Sequence, residues 1–428
     1  MRRTSWRWAG GACLGVMLAP AAFGQSLPEF GRAGISKKGS LLHFPAVEIK
    51  WDADGNVIQD TLLSISNDGP DDVYIQVYMV NGDRPLGPQI DPVTREITER
   101  PHPGWNWADC QLLLTAHQPT YWSAATGLPA GCQPFSVLDP AAPAGRPDPD
   151  GPDGTRTVRG FLVAWAVDVR GAEIQWNQLL GSATTVHYAT ASSWEYNAYA
   201  FQAHGSRDGV PTDQTPGQIL LNGLEYDAPP EKLLLIFNAS GGQFRSAGRS
   251  VTTLDTDLTV MPVTADLRQD NVGPITTKVK FDIWNMNETR FSGTERCVTC
   301  WDQTLFSQYD VANNFLRQHL QTDMGKARVD GVASTRCDGP DCIDRGEFGD
   351  PFACSFPAAI LGVSAKLMEV SGSGCGDAAA GGTLSGMGVE PAAILYDLIS
   401  PPSELRPPMV EIERVSNRSR PQSNQRVP

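Results

Sequence analysis

The sequence predicts an all-β protein built as two antiparallel β-sandwich domains in tandem, with one short helix in the second. Three observations carry that expectation. Apolar and polar residues alternate with period two in run after run beyond residue 40. The runs are short and are punctuated by 42 glycines and 33 prolines. Helical periodicity is scarce.

Taken in order, Leu41 to Trp51 reads as the first strand and Val57 to Ser66 as the second. Between them, Asp52-Ala53-Asp54-Gly55-Asn56 opens like a calcium-binding loop. It then places Val57 where that loop needs glycine and Leu63 where it needs glutamate, so an Asp-Gly hairpin turn is expected instead. In Val73 to Val80, Val73, Ile75, Val77 and Met79 share one face while Tyr74, Gln76 and Tyr78 share the other. The turn formers Asn67 to Asp72 are expected to join this strand to the preceding one as a hairpin. Further strands are expected at 110–115, 157–168, 194–203, 233–238, 254–263, 277–285, 359–369 and 392–399. The helix is expected over Val311 to Met324, with Asp310 as N-cap, Val311, Phe315, His319 and Leu320 on one side, and Gly325 as the stop.

Residues 1–24 read as a signal peptide, with Arg2, Arg3 and Arg7 before an apolar run that ends on small residues at Ala22-Phe23-Gly24. The expectation is a secreted, periplasmic or cell-surface protein. Residues 25–205 are then expected to form the first sandwich, 206–217 a linker, 218–400 a disulfide-rich second sandwich and 401–428 a disordered tail. Pro134 to Arg156 is expected as a long exposed loop, because almost nothing bulky and apolar follows Leu138. The formal net charge of -14 becomes more negative once the three signal arginines leave. It repels nucleic acids and anionic membrane surfaces, and no stretch of the mature chain is apolar enough to span a bilayer.

Of nine cysteines, Cys13 leaves with the signal; Cys110, Cys132, Cys297, Cys300, Cys337, Cys342, Cys354 and Cys375 are the disulfide candidates. Cys110 with Cys132 is the expected first pair. The close pairs Cys297/Cys300 and Cys337/Cys342 loosely match zinc-ribbon spacing, but an oxidising compartment favours bridges over thiolate ligation. The chain also echoes itself. NDGP followed by DDVYIQVYMVN at 67–81 returns as DNVGP followed by ITTKVKFDIWNMN at 270–287, and Thr120-Tyr121-Trp122-Ser123 returns as Thr304-Leu305-Phe306-Ser307.

No catalytic signature stands out. G-x-S-x-G is missing, and His43, His102, His117, His187, His204 and His319 never fall at metalloprotease spacing. A glycoside hydrolase whose carboxylates assemble only in the fold is the alternative to a noncatalytic protein. No cofactor is expected; Gly374-x-Gly376-x-x-Ala379 is too weak a dinucleotide fingerprint. Besides that zinc spacing, calcium is a candidate at Asp338, Asp341 and Asp344 in the cysteine-pinned acidic stretch, with a solvated loop as the alternative. The best binding signal is aromatic. Trp105, Trp107, Tyr121 and Trp122 surround Cys110 beside Asn and Asp, and form either a glycan-facing patch or a plug at the end of the core.

The segments DTLLSISN, VYMVNGD and LLLTAHQPTYWSAATGLP resemble a loose group of secreted bacterial β-domain proteins with no assigned activity. The resemblance covers about a third of the chain and implies only an extracellular β domain. The expected function is therefore structural or adhesive, with a glycan or another surface component as partner.

Overall fold

In the computed structural model of the chain, the described residues are 32–35, 37–212, 219–230, 232–242, 245–246, 249–263, 275–291, 293–309, 314–332, 337, 358–371 and 378–383. The first half holds β1 (Leu41–Trp51), β2 (Val57–Asn67), β3 (Val73–Asn81), β4 (Gln89–Ile90), β5 (Ile97–Glu99), β6 (Trp107–Leu114), β7 (Pro119–Ser123), β8 (Arg146–Pro147), β9 (Arg156–Val167), β10 (Leu179–His187), β11 (Ser192–Asn197) and β12 (Tyr199–Phe201). The second holds β13 (Leu233–Asn238), β14 (Arg245–Ser246), β15 (Arg249–Val263), β16 (Thr276–Asn285), β17 (Arg290–Phe291), β18 (Glu295–Thr299), β19 (Asp302–Leu305), β20 (Met324–Val332), β21 (Ala359–Ser371) and β22 (Ala378–Thr383), with α1 (Arg317–Leu320) the single α-helix among the described residues. The fold is all-β and its strand pairs are antiparallel.

The first-half strands make two layers around one core. One runs β6-β3-β9-β1 and the other β7-β2-β10-β11, and the β1/β2 hairpin joins them. That hairpin turns at Asp52, whose Oδ1 accepts the Asp54 and Asn56 N–H groups at 3.0 and 2.8 Å, with Gly55 at a φ of 86°. Leu63 and Ile65 of β2, Ile75 and Val77 of β3, Leu162 and Ala164 of β9, and Ala183 of β10 meet in one buried cluster. β1 is apolar nearly throughout because both of its faces are covered. Leu42, Phe44, Val47 and Ile49 face this core, while Leu41 belongs to a second cluster shared with the other half.

The same strand orders recur in the second half as β18-β16-β20-β13 and β19-β15-β21-β22. The two halves also carry matching internal ties. Thr61 Oγ1 accepts the Glu48 N–H at 3.0 Å and donates to the Glu48 carbonyl at 2.9 Å; Thr256 Oγ1 does the same with Asn238 at 2.9 and 3.1 Å. The preceding carboxylates, Asp60 and Asp255, each accept the following threonine N–H at 2.8 Å. Ser123 Oγ donates to Asp60 at 2.5 Å and Ser307 N to Asp255 at 3.3 Å. Burial pushes both carboxyls up from their ordinary value. The second core is a box of rings, Phe237, Phe281, Phe306, Tyr309 and Phe315, with Phe306 and Phe315 stacked at 4.0 Å.

The halves meet along a buried seam. Leu41, Phe161, Val163, Tyr199 and Phe201 pack against Met261, Val263, Trp301 and Leu361. Trp301 Nε1 donates to the Pro45 carbonyl at 2.7 Å, where β1 is irregular between Phe44 and Val47, and Tyr199 Oη donates to the Gly362 carbonyl at 3.0 Å. Part of the segment expected as a linker is tied down as well. Gly209 N donates to the Gln175 carbonyl at 2.8 Å and Thr212 N to the Glu173 carbonyl at 3.2 Å, and 213–217 lie outside the described residues.

Several expectations need correction. β2 and β3 are not a hairpin: β2 pairs β1, β7 and β10, while β3 pairs β6 and β9. Their connection crosses between layers and is held by Asn67, whose Nδ2 reaches the Asp71 and Thr115 carbonyls at 2.8 and 3.1 Å. Residues 134–156 are no free loop, because Phe135 and Leu138 insert into the core in a 3-10 turn. Among the described residues the helix is only Arg317–Leu320; Gln321 turns left-handed at a φ of 58° and Gly325 lies inside β20. Here the burial of Phe315 and Leu320 in the ring box decides the path rather than helical propensity. Asp310 to Asn313, the strand at 392–399 and the tail lie outside the described residues.

Cys110 and Cys132 form the expected disulfide, with Cα atoms 5.6 Å apart, and tie β6 to the segment after β7. Cys297 pairs with Cys337 at 5.5 Å. Cys300 is a free thiol that burial pushes up to about 12, while Cys342, Cys354 and Cys375 lie outside the described residues.

Candidate functional site

The structure does not bring the four aromatic candidates together. Trp122 stands directly opposite Leu63 and is 0% exposed, a plug of the first core. Tyr121, its neighbour, must point the other way. It stands opposite Ser64, outside the β7-β2-β10-β11 layer, 55% exposed. Trp107 stands opposite Val80, outside the other layer, 46% exposed. Trp105 is half-buried in a left-handed turn at a φ of 54°, its amide donating to the Asp83 carbonyl at 3.0 Å. One ring thus faces outward on each side of the sandwich and one fills its centre.

The outer face over β3, β6 and β9 is an aromatic shelf. Tyr74, Gln76 and Tyr78 face outward from β3 because Val73, Ile75, Val77 and Met79 face inward. Gln111 stands opposite Gln76 and Asp109 opposite Tyr78. Trp165 stands opposite Gln76 on the other side and stacks on Tyr78 at 5.1 Å. Gln76 Nε2 donates to Asp109 Oδ2 at 3.0 Å at the surface. Flat rings and carboxamides therefore alternate across three neighbouring strands. Only Trp107 of this group is singled out by the sequence, although Tyr74 and Tyr78 were legible as the polar face of an alternating strand.

The histidine constellations are ties rather than open sites. His102 is sealed, with Nδ1 2.6 Å from Asp139 Oδ1 and Nε2 on the Glu99 carboxylate, which Arg156 Nη2 also holds at 2.9 Å. Burial pushes Asp139 up, while hydrogen bonding to Arg156 holds Glu99 below its ordinary value. This set clamps the base of the β4/β5 excursion to the start of β9. His204 Nε2 lies 2.9 Å from Asp227 Oδ1, and the same buried carboxylate takes the Lys37 ammonium and the Gln202 N–H. Among the described residues His43 has no hydrogen-bond partner for either nitrogen; it stacks on Phe161 at 5.3 Å and is pushed down to about 3 by burial.

The calcium candidates Asp338, Asp341 and Asp344 lie outside the described residues. Among the described residues no group of three or more His, Cys, Asp or Glu side chains is placed to hold a metal ion. The chain matches no protein-family model and no curated protein.

Proposed function

We propose that the chain is a secreted, noncatalytic adhesive β-sandwich protein that holds a neutral glycan on the shelf formed by Tyr74, Tyr78, Trp107 and Trp165. The observation that carries this reading is the register of the shelf, which sets ring faces beside the amide groups of Gln76 and Gln111. Ring faces pack the C–H face of a sugar, and carboxamides both donate to and accept from its hydroxyls. A glycoside hydrolase is the weaker alternative, since the carboxylates of Asp60, Asp255, Asp139 and Asp227 are engaged in internal ties. Two disulfides and the lack of a membrane-spanning helix among the described residues agree with an exported protein. The matching strand orders and Asp-Thr ties support reading the halves as tandem copies of one domain.

Affinity electrophoresis through gels containing neutral polysaccharides (cellulose derivatives, xylan, glucomannan, β-glucan) tests the shelf. Retardation of the wild type by at least one of them is expected. It should be lost in Trp107→Ala and Gln111→Ala at an unchanged melting temperature. A wild type that none of the gels retards sinks the reading.

A further inference from the structure

We propose a second, separate sugar site on the opposite outer face of the first half, in a cavity that takes a single neutral sugar residue. Four side chains stand in one row across four neighbouring strands. Tyr121 of β7 is opposite Ser64 of β2, Ser64 is opposite Ser182 of β10, and Ser182 is opposite Asn197 of β11. Directly opposed residues of antiparallel strands share a face. The neighbouring Leu63 and Ala183 point into the core, so this row points out. With strands roughly 4.8 Å apart, the row is about 14 Å long.

The row does not lie on a flat surface. A cavity of about 330 Å³ opens over its middle, walled by Ser64, Ser66, Ser182 and Asn197 on the sheet and by Ile35 and Lys37 on the strap that precedes β1. Among the described residues, the hydroxyls of Ser64, Ser66 and Ser182 make no hydrogen bond to protein, so they remain available to a ligand. Among the described residues of the wall the only charged side chain is Lys37, which already gives its ammonium to the buried Asp227 carboxylate and the Arg32 carbonyl. The site therefore offers donor-acceptor hydroxyls, an apolar wall and little net charge. Those are the requirements of an uncharged polyhydroxylated ring, with the exposed Tyr121 ring at the end of the row for its C–H face. Among the described residues of the wall, an anionic ligand would find no free cation.

Saturation-transfer NMR with the methyl pyranosides of glucose, galactose, mannose and N-acetylglucosamine, and with methyl glucuronide as the anionic probe, tests the site. At least one neutral probe should receive saturation from the wild type, and its affinity should fall at least tenfold in Ser64→Val and in Ser182→Val. Both variants keep a strand-compatible residue outside the core, so their melting curves should overlay the wild type. Silence from all four neutral probes, undiminished transfer in both variants, or binding of the glucuronide alone would overturn the proposal. The shelf is read on polysaccharide gels with Trp107→Ala and Gln111→Ala, so failure of one site is distinguishable from failure of the other.

Discussion

The two halves arrange the same strands in the same order, yet the faces outside their second layers meet different surroundings. Aligned through the Thr61 and Thr256 ties, positions Ser64, Ser66, Leu180 and Ser182 of the first half correspond to Thr259, Met261, Leu361 and Val363 of the second. The first set is exposed or half-exposed, whereas every member of the second is buried. Met261 and Leu361 lie on Leu41, Phe161 and Val163 across the seam. The outer faces of the first layers differ in kind too. Tyr74, Gln76 and Tyr78 in the first half correspond to a ladder of Lys278, Lys280 and Asp282 in the second, where Arg290 reaches Asp282 at 2.8 Å and Lys326 reaches Glu288 at 2.6 Å. The sandwich interior is held to one plan, while each outer face takes the chemistry of whatever it meets.

The largest test of this comparison is at a buried ring in each core, Trp122 in the first and Phe306 in the second. Trp122→Ala and Phe306→Ala should each cost about 3–5 kcal/mol, the usual range for a buried ring. Calorimetry should show one shared transition moving down in both variants, because the seam couples the halves. Two separate transitions, each answering to one variant, would break the claim that the halves stand as one body. The ties come next. Asp60→Ala and Asp255→Ala should each lose about 1–3 kcal/mol in urea melts, the cost of stripping a buried hydrogen-bonding partner. Losses that differ by more than twofold would show that the two ties are not equivalent.

The smallest effect is at Asp257, which occupies the position of Leu62 and receives the Gln303 amide at 2.6 Å. Burial foremost, with Glu48 nearby, pushes its carboxyl up to about 6. A group raised in the folded state contributes its stability at pH below its ordinary value and loses it as the pH rises through 6. Asp257→Asn should therefore gain about 1 kcal/mol at pH 8 and nothing at pH 4. Equal stability of variant and wild type at pH 8 would mean that the seam leaves this carboxylate hydrated.

The strands with clean alternation or unbroken apolar runs were legible from composition alone. β1 and β13 begin and end where the pattern places them, because their apolar residues are what both layers need. β7, β10 and β20 were not legible. LLGSATTVH and MGKARVDGV place small or charged residues at half their positions, and their neighbours in the sheet supply the order. The turn at 67–72 contains the residues that any reversal uses, so sequence could not separate a hairpin from a crossing between layers. Of the site, Tyr121-Trp122 held a signal that was missed: adjacent residues of a strand cannot face one ligand, so only one of those rings could be outside.

The Trp301 indole seated on the Pro45 carbonyl bears on how such a chain can be inherited. A portable module must leave no torn surface when it is cut away and recombined. Cutting between these halves would strip Leu41, Phe161 and Phe201 of their cover and leave a carbonyl without its donor. Neither half could then be traded into another protein as it stands, and the pair would be transmitted through gene rearrangement as one indivisible cassette.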